Sequence, residues 1–292
     1  MKKYTLPADQ YFLRRVPSAD GTPSLMLNGE PGTLARFDVA QGNQIERLKH
    51  PPELRRDGGL VTNLMFNVAG DCIVTDDEGE RCWMHHDSRW SAPSPLPNAN
   101  TLTDLCYLWT EDTLYLRKNF GVTYFIWRDD AGRLQPSFDR YAAIRVRKDA
   151  PSWLKAVESF PSMGCQVHRT YQDTSDLVYC VYDASKPRVG YASWGDAALD
   201  WSVAHPRKCL RLAGCSDWLF SIVDAGSGTT EILAHHRDGA QITLTSPTGK
   251  RFFDLETIIT ESWSGLAALA VPEASSVDVL VLWTLDDLNA MR

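Results

Sequence analysis

Residues suited to chemistry are few in this 292-residue chain, and they are scattered. Two adjacent pairs, His85-His86 and His235-His236, carry imidazoles of the kind that hold transition metals. Neighbouring residues on a strand point to opposite faces, so each pair splits its two rings and neither forms a ligand set. Positions 75–80 read TDDEGE. A calcium site needs several oxygens converging on one ion, and this spacing does not match an EF-hand loop. A charged hairpin turn carrying Asp76 and Asp77 is the expectation. The chain contains no Gly-x-Ser-x-Gly elbow, His-Glu-x-x-His pattern, phosphate loop or dinucleotide fingerprint. The residues therefore point to no metal and no cofactor.

The charge balance narrows the partners. Lys and Arg total 30 against 37 Asp and Glu, a net charge of −7. Binding to a phosphate backbone is driven by cationic side chains releasing counterions, so nucleic acid is a poor fit. Anionic membranes are equally poor, and no window approaches the apolar length of a membrane span. The opening MKKYTLPADQYFLRR has lysines with no apolar stretch behind them, unlike a signal peptide. Seven cysteines, most inside apolar runs and none in a Cys-x-x-Cys pair, read as reduced, buried thiols in a cytoplasmic protein.

The elements that must position these residues repeat along the chain. Short runs of strand character end in an aromatic residue or histidine and lead into a polar turn, at Phe37, Trp83, Trp127, Trp194, His236 and Trp283. The intervals are 46, 44, 67, 42 and 47 residues. Asp20, Asp71, Asp112, Asp176 and Asp217 each precede a strongly apolar run in the same phase, with Ser264-Gly265 in that place in the sixth unit. Four short strands per unit of this length describe a propeller blade. The expected fold is all-β: one six-bladed β-propeller over residues 1–292. The last unit is short of a fourth strand, which KKYTLP at the N-terminus could supply.

One interval, 67 residues, is too long for one blade and too short for two. The excess lies at 139–163, DRYAAIRVRKDAPSWLKAVESFPSM, between the third and fourth blades. PSWLKAVESF has a capping Asp149, Pro151 in the first turn, and Trp153, Leu154, Val157 and Phe160 on one face, as a short helix requires. The segment brings Arg145, Arg147, Lys148 and Lys155 into an acidic chain. In a propeller it would share a rim with the turns holding Asp76, Asp77 and Arg188, and rim loops are where recognition residues concentrate.

Three segments resemble known propellers. HHDSRWSAPSPLP (85–97) and GDAALDWSVAHP (195–206) look like degenerate Asp-box turns of sialidase-type propellers. RRVPS (14–18), followed by GTLARF (32–37), is similar to the Arg-Ile-Pro opening of that family. The resemblance implies Arg15 as a carboxylate-binding arginine and sets Glu231, ahead of ILAHHRDG, where the family has a glutamate. The rest of the arginine cluster and a Tyr–Glu nucleophile pair have no counterpart. The endings FIWRDD and VLWTLDD look like WD40 blades without their Gly-His partner motif. Two functions stand against each other. One is a protein-binding module, in its narrowest form an immunity- or antitoxin-type inhibitor, using Arg145, Arg147, Lys148, Trp153, Lys155, Asp76, Asp77 and Arg188. The other is a glycan-binding protein or sialidase-like glycoside hydrolase using Arg15 and Glu231.

Overall fold

The computed structural model describes residues 1–6, 10, 12–17, 20–66, 70–76, 81–95, 106–109, 113–118, 121–126, 165–172, 177–183, 187–192, 200–215, 217–246, 250–272 and 278–292. Their strands fall into six sheets met in order along the chain, antiparallel wherever the register is described. The chain divides into two compact units, residues 1–50 with 203–292 and residues 51–202.

The first unit holds three sheets. Sheet one is β2 (Arg14–Val16), β3 (Ser24–Asn28), β4 (Thr33–Asp38) and β5 (Asn43–Lys49). Sheet five is β18 (Cys209–Gly214), β19 (Trp218–Gly226), β20 (Thr229–His236) and β21 (Gln241–Thr245). Sheet six is β22 (Lys250–Ile259), β23 (Ser264–Pro272) and β24 (Asp278–Thr284), with β1 (Lys2–Leu6) as its fourth strand. The N-terminal segment thus completes the last sheet. Lys2 lies opposite Leu282 and Leu6 opposite Asp278. Alternation explains why this segment becomes a strand: Tyr4 and Leu6 turn toward the core while Lys3 and Thr5 are exposed.

The core between sheets one and six contains Leu6, Leu25, Leu27, Phe37, Leu269, Leu280 and Leu282, with Tyr4 packed against it. Tyr4 meets Phe37 edge to face at 5.1 Å, the arrangement favoured by the ring quadrupoles. Sheets five and six are tied by Thr257 Oγ1 donating to the Gly214 carbonyl (2.8 Å) and Thr230 Oγ1 donating to that of Phe252 (3.0 Å). A helix, α2 (Leu285–Ala290), follows β24. Thr284 and Asp287 cap it reciprocally, which satisfies two donors that the first turn would leave orphaned.

The second unit holds sheet two, sheet three and sheet four. Sheet two is β6 (Asn63–Phe66), β7 (Cys72–Thr75), β8 (Arg81–His86) and β10 (Ser94–Pro95), with β9 (Arg89–Trp90) also on β8. Sheet three has three described strands, β11 (Cys106–Trp109), β12 (Thr113–Lys118) and β13 (Gly121–Ile126). Sheet four is β14 (Cys165–Gln172), β15 (Leu177–Asp183), β16 (Arg188–Ala192) and β17 (Trp201–Ala204). A short helix, α1 (Pro52–Arg56), leads into sheet two and is pinned by the buried Leu54.

The described repeat markers share one strand of their sheets. Phe37, Trp83, His236 and Trp283 all lie on the third strand of their sheets. Trp127, Trp194 and the 139–163 insertion with its expected helix lie outside the described residues. No helix among the described residues is long and apolar enough to cross a membrane.

Candidate functional site

Connector and turn residues meet in both units. In the second unit Asp57, at the C-terminal cap of α1, accepts from Arg81 Nη1 at 3.3 Å. Arg81 Nε donates to Asp76 Oδ2 at 2.8 Å, and its backbone N–H reaches Asp76 Oδ1 at 3.2 Å. Asp76, and after it Asp57, hold the guanidinium above its already high pKa. In the first unit Arg207, in the connector from β17 to β18, donates to Glu231 of β20 at 2.7 Å. Gln10, in the connector from β1 to β2, donates its N–H to Asp278 of β24 at 2.9 Å. Each of these connectors is therefore stitched to the beginning of a third strand, beside the turn that precedes it. This geometry sets these connectors beside the first residues of third strands within each unit.

Behind Arg207 lies a polar cluster with no exposure. His205 Nε2 is 2.6 Å from Ser221 Oγ, and its Nδ1 is 2.6 Å from the carbonyl of Arg207. Nδ1 must carry the proton to bond that carbonyl, so Nε2 accepts from the serine hydroxyl. His235 lies against His205 with ring centroids 5.4 Å apart. Burial, with the neighbouring His205 second, pushes His235 down to about 4, and burial lowers His205. Serine, histidine and an orienting carbonyl form a nucleophile–base arrangement by distance alone. His205 and Ser221 are both 0% exposed, so no substrate reaches the hydroxyl. The cluster instead fastens the β17–β18 connector to the second strand of sheet five.

First strands carry a second recurring feature. Register shifts occur between Val167 and Arg169 in β14, Cys209 and Arg211 in β18, and Phe252 and Asp254 in β22. A bulge re-aims the residue beside it. In β22 the result is Asp254, whose Oδ2 takes Arg14 Nη1 at 2.7 Å and the N–H of Leu13 at 3.1 Å. Arg14 and Asp254 are 10% and 5% exposed, a buried ion pair between sheets one and six.

The predicted site residues are distributed as follows. Arg15 is half-buried on β2, opposite Leu25. Its neighbour Arg14, not Arg15, meets the buried carboxylate. Glu231 is held by Arg207. Asp76 is fully buried, and the Arg81 side chain that pairs with it is partly exposed. Arg188 begins β16 opposite Asp183 and is half-buried. Asp77, Arg145, Arg147, Lys148, Trp153 and Lys155 lie outside the described residues. His85 packs on Trp90 while His86 reaches Asp71 at 2.9 Å. No group of three or more potential metal ligands occurs among the described residues. The His205–Ser221 and Arg14–Asp254 contacts were not foreseen. A His-Pro step directly after a fourth strand, at 205–206, is the one local signal for the first. The second has none.

No protein family matches the sequence, and no curated protein is significantly similar to it. Solved structures are similar in fold. The β-propeller domain of Cps50 (Swd1) from Myceliophteria thermophila superposes with a TM-score of 0.60 at 10% identity, covering 97% of this chain and 100% of its own. A chain of the Mitotic Checkpoint Complex gives 0.53 at 12% identity, over 96% of this chain and 90% of its own. KlHsv2 with a replaced loop gives 0.50 at 8% identity, over 95% and 98%. At such identities the likeness establishes a β-propeller architecture.

Proposed function

We propose that the chain is one six-bladed β-propeller over residues 1–292, each sheet a blade and β1 completing the last, and that it works as a protein-binding module. The carrying observation is likeness along nearly the whole chain to propellers, one of them from a structure described as a checkpoint complex. The recognition surface in this reading is the rim built by connectors and second-to-third-strand turns. It includes Asp77, Arg81 beside the buried Asp76, Arg188, and the insertion with Arg145, Arg147, Lys148, Trp153 and Lys155. Buried aromatic and arginine anchors dominate binding energy at protein interfaces, and the insertion supplies both. In its narrowest form the module blocks one partner enzyme, as an immunity or antitoxin protein does. A reducing, cytoplasmic setting fits the four described cysteines, Cys72, Cys82, Cys209 and Cys215, all buried and none in a disulfide. Burial pushes the Cys82 thiol up to about 12 and raises those of Cys209 and Cys215, which leaves them unreactive.

The glycan reading relies on Glu231, whose carboxylate is engaged by Arg207, and on Arg15. Affinity capture with the wild-type chain and with a variant carrying Arg145→Ala, Arg147→Ala, Lys148→Ala and Trp153→Ala separates the readings. A protein recovered by the wild type and lost by the variant supports the module. Equal recovery by both removes the insertion from the surface. Turnover or retention on a glycoside panel, with no protein enriched, replaces this reading with the glycan one.

A further inference from the structure

Arg292 crosses from α2 of sheet six to the turn after β20 in sheet five. Its Nη2 bonds Asp238 Oδ2, and its Nη1 lies 3.3 Å from His236 Nε2. The guanidinium also sits 5.9 Å from the centroid of the Trp218 ring, which His236 meets edge-on at 4.8 Å. His236 Nδ1 is 2.7 Å from Asp238 Oδ1. Nδ1 also lies 3.3 Å from the backbone N of Asp238, but the shorter contact, to the carboxylate, requires the proton on Nδ1, so neutral His236 donates to Asp238 Oδ1 and keeps a lone pair on Nε2 for Arg292. We propose that α2 and Arg292 form a latch across the fifth sheet, which His236 holds closed when neutral and releases when protonated.

A second proton on the ring goes to Nε2, where it faces the guanidinium, and the contact turns from attraction to repulsion. The imidazolium then also competes with Arg292 for Asp238. The charged groups around the ring are Asp217 ahead of β19, Asp238 in the turn, and Arg292 beyond α2, while the adjacent Arg237 is exposed. Burial first, then the Arg292 charge, hold His236 below the usual histidine range, with Asp217 opposing. The latch is therefore closed at neutral pH and opens on acidification. The helix it controls is anchored at its other end, where the Met1 ammonium lies 3.1 Å from Asp287.

Linkage makes the coupling reciprocal: whatever Arg292 does to His236 protonation, protonation does to the latch. The test is an NMR titration of His236 in the wild type and in Arg292→Gln, with amide exchange of 285–292 followed over the same pH range. Losing a unit charge at this distance in a solvated site should raise the His236 protonation constant roughly threefold to tenfold. Exchange of 285–292 in the wild type, corrected for its intrinsic pH dependence, should quicken by a similar factor as His236 titrates. Asp217→Asn, an exposed change, should move both events to lower pH together. An unchanged His236 titration in Arg292→Gln, or exchange indifferent to that titration, overturns the latch.

Discussion

Replacing Leu6 by alanine probes whether the N-terminal strand is a working part of sheet six. Leu6 is 7% exposed and belongs to the core shared by sheets one and six. Lys3, on the same strand, is exposed and opposite Val281. Truncating a buried leucine removes its transfer free energy and leaves a cavity, with losses of about 2–5 kcal/mol. Leu6 ends its strand, where the surroundings relax more easily, so about 2–3 kcal/mol is the expected loss. For a chain of this size that lowers the melting temperature by roughly 4–10 °C. Lys3→Ala, which touches no core, should stay within about 0.5 kcal/mol. Urea unfolding of the two variants beside the wild type measures both. A chain lacking residues 1–6 should lose more than Leu6→Ala and regain part of it when the peptide KKYTLP is added. Equal midpoints for Leu6→Ala and Lys3→Ala would refute the reasoning, because a strand paired in the described register cannot lose its buried residue at no cost.

Other expectations follow from buried polar groups and close packing. Asp254→Asn should destabilise by about 3–5 kcal/mol, since it strands Arg14 in a buried site. The apolar pair Arg14→Met with Asp254→Leu should recover only part of that in the same denaturation assay, because the buried N–H of Leu13 loses its acceptor. Burial lowers the pKa of His235 to about 4 in the fold, against an ordinary value when unfolded, so its contribution is full above about pH 6.5 and lost as pH falls toward 4. The loss is roughly 3 kcal/mol, and His235→Gln should flatten that part of the stability–pH curve. Gly265→Ala would press a Cβ into the backbone at Trp283 and Thr284. A loss of about 2 kcal/mol or more, read by melting temperature, is expected from such overpacking.

The architecture was legible because blade rhythm is local. Third strands carry Phe37, Trp83, His236 and Trp283 because each of these sheets needs a bulky residue on that strand and a polar turn beyond it. The fourth strand of sheet six was legible for the opposite reason, a deficit at one end of the chain matched by a surplus at the other. Long-range polar contacts left no such trace. Arg14 and Asp254 are separated by 240 positions, and their pairing depends on a bulge in β22. Two adjacent arginines gave no sign of which turns inward, so the resemblance to sialidase-type propellers fell on Arg15 while Arg14 holds the buried contact. Asp76 read as part of an exposed acidic turn, yet Arg81, five residues on, closes over its carboxylate. Charge counts report composition, whereas burial of a single carboxylate depends on the geometry of its partner.

Photo-crosslinking from the rim tests the central claim most directly. An amber-encoded photoreactive residue at Arg188, on the turn side of β16, is compared with one at Ile45, 45% exposed on the outer strand β5. A protein-binding rim predicts one dominant adduct to another protein from the Arg188 position and none from Ile45. Adducts of the same partner from both positions, or from Ile45 alone, would contradict it.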